Sequence, residues 1–305
     1  MSVSAALKAL VKEVPQVKAL IAERDALRAA SGLVPAGHYY SPIPSLDEVR
    51  RDDGLIFREF PRSIPGVDLR EDEQLALLQS WTPLYDSMPF RAEKVDGLRY
   101  YFENEWYGYC DATMLHCMIR HLRPRRIMEI GSGFSSCVTM DTNERFFGGA
   151  IDLTFIDPYP ERLLSLLREE DKSRIHLIEK RLQDVPLEQF QSLEAHDILF
   201  VDSTHVSKVN SDVNRIFFEI LPAIARGVHV HFHDVFYPFE YPRDWIYDGC
   251  AWNELYMLRA FLQYNSGFEV VMMNTMMQHF HEPFFREHMP LCLENPGGSI
   301  WLRKV

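Results

Sequence analysis

The sequence predicts an α/β fold: a doubly wound, mostly parallel sheet of seven strands, preceded by an N-terminal helical extension. From residue 126 onward, short apolar runs alternate with helical patterns, and strands that alternate with helices form parallel sheets through right-handed crossovers. The last run follows two glycines without an intervening helix, which favours an antiparallel strand at an edge or inserted in the sheet. The runs lie at residues 126–130, 152–157, 175–180, 197–202, 228–234, 268–273 and 299–305.

The composition indicates a chain that folds around a large core and has no general affinity for polyanions. Of the 305 residues, 47% are hydrophobic and 12% are aromatic. The 32 Lys and Arg against 44 Asp and Glu give a net charge of -12, so we expect binding neither to nucleic acid nor to a membrane surface. Five cysteines at scattered spacings are typical of reduced thiols. Without a signal core or a long apolar run, we expect a cytoplasmic protein.

Four segments are predicted along the chain. Residues 1–30 form a helix or an arm, residues 31–67 an extended linker rich in Pro, Gly and paired charges, residues 68–123 a helical cap, and residues 124–305 the domain with the sheet. Two interpretations of the first helix stay open, a homo-oligomer contact and packing on its own domain. Its apolar positions, three and four apart, are Leu7, Leu10, Val14, Val17 and Ile21, and Pro15 interrupts them.

A glycine-rich turn, EIGSGFSS, follows the first predicted strand. Gly131 and Gly133 let the backbone turn tightly, and the helix that follows offers unpaired N–H groups to a ligand. The next strand ends at Asp157, whose carboxylate can accept both hydroxyls of a ribose. An ordinary turn and a helix cap are the alternatives, and Ser136 stands where a dinucleotide fingerprint has its third glycine. Together, these features predict a nucleoside-containing ligand.

Gln183 and Asp184 follow the third predicted strand, in the stretch KRLQDVP. An amide and a carboxylate at that position of the sheet can read the edge of an adenine. The alternative is that Asp184 caps the helix that begins near Pro186.

Polar residues end the fourth and fifth predicted strands, in FVDSTH and VHVHFHD. Carboxylates and imidazoles that converge from neighbouring strands bind a divalent cation or place a base beside a substrate hydroxyl. The residues of interest are Asp202, His205, His233 and Asp234, whereas His231 lies deeper in its strand and is expected to be structural. The aromatic segment 236–256 then predicts either a stacking wall for a substrate or a lid on the core.

Over residues 100 to 305, this series of motifs resembles the class I methyltransferases that use S-adenosylmethionine. The matching motifs are EIGSGFSS, FIDPYPE, LQDVP, FVDSTH and the terminal SIWLRKV. The pair FVDSTH and HFHD resembles the metal-assisted sugar O-methyltransferases of the macrocin and mycinamicin type, and more distantly the catechol O-methyltransferases. The resemblance implies methyl transfer to a hydroxyl of a small molecule or a saccharide.

The same resemblance assigns roles to residues of this chain. It implies that the methionine part of the cofactor is held by Glu129, Gly131, Ser132 and Gly133. It implies Asp157 at the ribose and, at the adenine, Gln183 with Asp184.

For the reaction itself, the resemblance implies metal ligands at Asp202 and Asp234, with His233 at a position where those families have a carboxylate or an amide. Histidine is a poorer partner for magnesium than oxygen, so the ion is either magnesium or a softer transition metal, or it is absent and His233 acts on the substrate. His205 is the predicted base, because an ordinary imidazole pKa of about 6.5 suits proton removal at neutral pH. Two alternatives remain, a nicotinamide-dependent oxidoreductase and a non-catalytic cofactor-binding subunit.

Overall fold

The computed structural model describes residues 14–30 and 32–305, and these residues form two compact units. The first unit contains the described residues up to Glu59 together with Arg243–Ala251. The second contains Phe60–Pro242 and Trp252–Val305. Residues 68–123 and the sheet therefore belong to the same unit.

The second unit contains a sheet of seven strands, which confirms the predicted fold class. In chain order, the strands are β1 Arg126–Ile130, β2 Asp152–Ile156, β3 His176–Ile178, β4 Ile198–Val201, β5 His229–His233, β6 Phe268–Met273 and β7 Ser299–Lys304. In the sheet they lie in the order β3-β2-β1-β4-β5-β7-β6. The first five strands pair in parallel, while β7 pairs antiparallel with both β5 and β6, so the last strand is inserted in the sheet.

Helices accompany the sheet along the chain of the second unit. Strands β4 and β5 are buried along their whole length. The sequence of β4, ILFV, is wholly apolar, as is typical of a central parallel strand, whereas β5, HVHFH, alternates histidines with apolar residues. The α-helices are Glu71–Asp86, Tyr109–Leu122, Phe134–Phe147, Glu161–Leu166, Leu187–Gln191, Asp212–Arg215, Leu221–Ala223, Glu254–Leu262, Asn274–Phe280 and Glu282–His288. Short 3-10 turns lie at Glu169–Ser173, Leu182–Asp184 and Pro290–Leu293, and a π-helical turn at Ile216–Ile220.

The first unit contains the α-helices Pro15–Ala30, Leu46–Arg51, Asp53–Ile56 and Arg243–Tyr247. Two of them lie within the segment that the sequence predicts as an extended linker. Helix Leu46–Arg51 has acidic residues in its first turn and arginines in its last, a charge pattern that suits the helix dipole. Because it buries little apolar surface, hydrophobic periodicity does not detect it.

The N-terminal helix is described from Pro15 onward, and Pro15 stands at its first position instead of interrupting it. Proline is favoured there because the first turn has no use for its missing N–H. Leu7 and Leu10 of the predicted apolar seam lie outside the described residues. Among the described helices, none has the length and hydrophobicity that a crossing of the bilayer requires.

Candidate active site

The glycine turn, residues 129–136, joins β1 to helix Phe134–Phe147 at the carboxyl end of the sheet. Gly131 has a φ of 80°, and its N–H donates to the carbonyl of Ile156 at 2.9 Å. A Cβ on Gly131 would lie 2.2 Å from the carbonyl oxygen of Asp202. The turn therefore requires glycine at this position, both for its backbone angle and for its close approach to the end of β4.

Asp157 directly follows β2 and is bonded to the glycine turn. Its Oδ2 accepts from the N–H of Ser132 at 3.1 Å and from the Ser132 hydroxyl at 2.7 Å. Its Oδ1 accepts from the N–H of Tyr159 at 2.8 Å. The structure thus brings the predicted ribose carboxylate, which is half-buried, into contact with the predicted glycine turn.

Glu129 lies beneath the turn and is fully buried. Its Oε1 accepts from the hydroxyls of Ser135 at 2.5 Å and Ser136 at 3.0 Å, and Ser136 also accepts from the N–H of Gly133. Its Oε2 has no partner among the described residues, and burial raises the pKa of Glu129 to about 8. Glu129 is therefore mostly protonated at neutral pH. A cationic ligand group beside its free oxygen, such as the ammonium of a methionine moiety, would favour the ionised form and pair with it.

The predicted adenine pair has other partners. The side-chain amide of Gln183 donates to the carbonyl of Asn210 at 2.7 Å. Asp184 is exposed and pairs with Arg181, whose Nε lies 2.9 Å from Oδ2, and this hydrogen bond lowers the pKa of Asp184. The helix at Leu187 has no side-chain cap, so Asp184 does not serve as one. Within the described residues, neither side chain bonds to the glycine turn.

A second group of side chains, which we call the acid–imidazole cluster, consists of Asp202, His205, Asp234 and Glu254. Asp202 follows β4 and Asp234 follows β5. His205 Nε2 lies 3.3 Å from Oδ1 of Asp202 and 3.5 Å from Oδ2 of Asp234. His205 and Asp234 both have left-handed φ angles, 59° and 56°. Such angles are uncommon for residues with a Cβ, and here they turn both side chains towards one point.

Glu254 completes the cluster and was not predicted as a site residue. It is 1% exposed, and its Oε2 lies 2.9 Å from His205 Nδ1 and accepts from the Ser203 hydroxyl at 2.9 Å. The N–H groups of Asn253 and Glu254 also donate to the carbonyl of His205. In the sequence, Glu254 is an acid in the first turn of a helix, which is ordinary. Only the tertiary fold reveals that it holds His205.

The carboxylates change the protonation expected for His205. Burial alone would lower its pKa, but the hydrogen bonds to Asp202 and Glu254 outweigh burial and raise the pKa to about 10. Without a metal, His205 is therefore an imidazolium at neutral pH. The sequence-based prediction of a base with an ordinary imidazole pKa needs this correction, because it could not include the buried Glu254.

His233 lies apart from the point where the cluster converges. It still belongs to β5, where its ring is 5.2 Å from that of Tyr107 and its Nε2 is 3.6 Å from Oδ1 of Asp234. The predicted metal set was Asp202, His233 and Asp234, whereas the three residues whose atoms converge to within 4.8 Å are Asp202, His205 and Asp234. His231 is stacked at 4.0 Å on Phe200, as expected for a structural residue.

The three converging residues fit a divalent cation. Two carboxylates and one imidazole are ligands that transition metals accept, and they are less suited to magnesium, which prefers oxygen. His205 can serve as a ligand only when neutral, so a cation and the His205 proton compete for the same negative charge.

Comparisons with known proteins add a family to this geometry. Residues 128–235 match a family model described as a methyltransferase domain. A relative from Archaeoglobus fulgidus, itself an uncharacterized protein, is 38% identical over 177 residues, which cover 56% of this chain and 78% of the relative.

Two solved structures are similar at a lower level. A methyltransferase from Podospora anserina with S-adenosylhomocysteine bound is 16% identical, with a TM-score of 0.43 over 90% of this chain and 99% of that chain. An O-methyltransferase from Streptomyces achromogenes, involved in tomaymycin synthesis and in complex with S-adenosylmethionine, is 15% identical, with a TM-score of 0.43 over 85% and 96%. Likenesses of this degree carry no information about the substrate.

The matched methyltransferase domain contains the glycine turn, Asp157, Asp202 and Asp234. The sheet around them has five parallel strands followed by an inserted antiparallel strand. On these grounds, the chain contains a methyltransferase domain over residues 128–235, set in the seven-stranded sheet of the class I S-adenosylmethionine-dependent methyltransferases.

Proposed function

We propose that the protein transfers the methyl group of S-adenosylmethionine to a hydroxyl oxygen of a small molecule or a saccharide, with a divalent cation held by Asp202 and Asp234. The observation that carries this proposal is the acid–imidazole cluster, which lies directly beside the glycine turn. A Cβ on Gly131 would be in contact with the Asp202 backbone, so the glycine turn and the cluster are neighbours. A hydroxyl is a weak nucleophile. Its activation requires groups that take its proton or bind a cation beside its oxygen.

The residues of the acid–imidazole cluster have different roles in this proposal. When bound, a divalent cation supplies a lowered pKa to the acceptor hydroxyl. His205 is protonated because Asp202 and Glu254 stabilise its charge. A cation bound by Asp202 and Asp234 would lower the pKa of His205, and the neutral Nε2 would then be free to take the acceptor's proton. Glu254 bonds to Nδ1, so it keeps the other nitrogen, Nε2, directed at the carboxylates.

The surroundings of the cluster suit a neutral acceptor with an apolar face. The indole of Trp252 lies 4.4 Å from the His205 ring, and Tyr107 borders His233. Aromatic faces stack on sugar or aromatic rings, and they exclude water from the reaction. Exclusion of water matters because an oxygen with developing negative charge and a sulfonium lose charge as they react.

Methyl transfer from labelled S-adenosylmethionine tests the proposal. Purified protein is incubated with pools of phenols, glycosides and nucleotide sugars, with and without exhaustive chelation, and labelled products are identified by mass spectrometry. We expect an O-methylated product that disappears on chelation and in Asp234→Asn, while Asp184→Ala serves as a carboxylate control that keeps activity. A product methylated on nitrogen or carbon would contradict the hydroxyl acceptor, and full activity after chelation would exclude the metal.

A further inference from the structure

Arg162 lies against the glycine turn and has no role in the function proposed above. A Cβ on Gly133 would lie 3.2 Å from Cδ of Arg162, so the aliphatic part of the side chain packs on the turn. The guanidinium carbon is 3.8 Å from the centre of the Trp106 ring.

Trp106 is 57% exposed and lies in a loop that internal hydrogen bonds hold together. Asn104 Oδ1 accepts from the N–H of Trp106 at 3.0 Å and from the N–H of Tyr107 at 2.7 Å. The amide of Asn104 donates to the carbonyl of Tyr101 at 2.7 Å. These hydrogen bonds hold the backbone of the loop that carries the ring on which Arg162 rests.

Stacking leaves the binding edge of Arg162 available. A guanidinium that rests on an aromatic ring uses its flat face, while its N–H donors point outward in the plane. Among the described residues, no carboxylate forms an ion pair with Arg162. This edge is matched to a planar carboxylate, which it can bind through two parallel hydrogen bonds.

The charges around the glycine turn indicate which ligand carboxylate would bind to the free edge of Arg162. Glu129, Asp157 and Asp202 make this end of the sheet acidic. The ammonium of a bound methionine moiety suits Glu129, whose Oε2 is without a partner among the described residues. The carboxylate at the same end of the cofactor would be repelled by the negative charges of Asp157 and Asp202, so a cation beside the turn would stabilise it.

We propose that Arg162, stacked on Trp106 and packed against Gly133, binds the carboxylate of the methionine moiety of the cofactor. This inference rests on S-adenosylmethionine as the cofactor, and it adds a residue that selects the intact amino-acid end of that ligand.

Two ligands that differ by one group test this directly. S-adenosylhomocysteine and its decarboxylated analogue, S-adenosyl-3-thiopropylamine, are titrated calorimetrically into the wild-type protein, Arg162→Gln, Arg162→Lys and the control Arg174→Gln. Arg174 is also an exposed arginine, so its replacement by glutamine removes the same positive charge. Its guanidinium lies 3.9 Å from the carboxylate of Glu144.

We expect Arg162→Gln to weaken S-adenosylhomocysteine binding about tenfold and to leave the affinity for the decarboxylated analogue unchanged. Arg162→Lys should retain part of the difference in affinity between S-adenosylhomocysteine and its decarboxylated analogue. Arg174→Gln should retain the whole of that difference. Equal losses for both ligands in Arg162→Gln, or no loss for either, would overturn the assignment. Failure of the wild-type protein to bind S-adenosylhomocysteine would instead overturn the cofactor itself.

Discussion

The glycine turn and the acid–imidazole cluster lie side by side but are built in different ways. In the turn, the backbone makes the site: Gly131 approaches Asp202, and Ser132 donates to Asp157. In the cluster, side chains make the site, and Glu254 holds His205 across 49 residues of chain. The glycine turn depends on residues that can adopt its backbone conformation. The acid–imidazole cluster depends instead on which charged side chains contact one another. The two should therefore respond differently to mutation.

The largest effect is expected from Gly131→Ala. The new Cβ would lie 2.2 Å from the Asp202 carbonyl at a φ of 80°, so the backbone of the turn must move. We expect the affinity for S-adenosylhomocysteine to fall by roughly a hundredfold or more. The matched control is Gly54→Ala, because Gly54 lies in the helix Asp53–Ile56 and a Cβ there would meet no atom within 4 Å. Equal tolerance of both variants in calorimetry would mean that the shape of the turn does not govern binding.

A smaller loss is expected from Asp157→Ala, since it removes a carboxylate without moving the backbone. Charge-assisted hydrogen bonds to a ribose contribute about 1.5 to 3 kcal/mol, so binding should weaken roughly ten- to hundredfold. Asp184→Ala provides the comparison, because Asp184 is exposed and paired with Arg181. We expect that variant to bind nearly as the wild type does. A larger loss in Asp184→Ala than in Asp157→Ala would restore the predicted adenine contact.

The cluster should respond to metal where the turn does not. A cation that binds only the folded protein stabilises it and so raises its melting temperature. At a free cation concentration a hundredfold above the dissociation constant, the stabilisation is about 2.7 kcal/mol. We expect Mn²⁺ or Zn²⁺ to raise the melting temperature of the wild type but not of Asp234→Asn, while Asp157→Ala responds as the wild type. Equal shifts in the wild type and Asp234→Asn would place the ion elsewhere.

The smallest expected effect is a change in the pH dependence of stability without metal. Folding raises the pKa of His205 from 6.5 to about 10, so its proton stabilises the folded state fully below pH 6.5. That stabilisation is lost as the pH rises through about 10. Glu254→Gln removes one of the two hydrogen-bonded carboxylates that raise this pKa, so the chelated variant should lose less free energy of unfolding between neutral pH and pH 10.

Urea unfolding of the chelated protein at several pH values checks this prediction. Glu219→Gln is the control, since the Glu219 side chain is 58% exposed and lies 3.7 Å from Arg215. If Glu254→Gln and the wild type lose the same free energy over this pH range, Glu254 does not hold the His205 proton.

The same difference explains what the sequence could reveal. The strands, the glycine turn and Asp157 follow from local patterns, because apolar runs and glycines act through the backbone near them. The choice of His205 over His233 at the converging point depends on a left-handed φ of 59° in a loop, which no periodicity encodes. Glu254 was hidden because an acid in a first helical turn is common. The raised pKa of His205 depends partly on its hydrogen bond to Glu254, so the sequence could not predict it either.

One titration tests the central claim, that the turn holds the cofactor and the cluster carries the chemistry. S-adenosylhomocysteine is titrated calorimetrically into the wild-type protein, Asp157→Ala and Asp234→Asn under chelation. The account predicts binding to the wild type, equal affinity in Asp234→Asn, and a loss of roughly ten- to hundredfold in Asp157→Ala. No binding to the wild type, or equal losses in both variants, would contradict it.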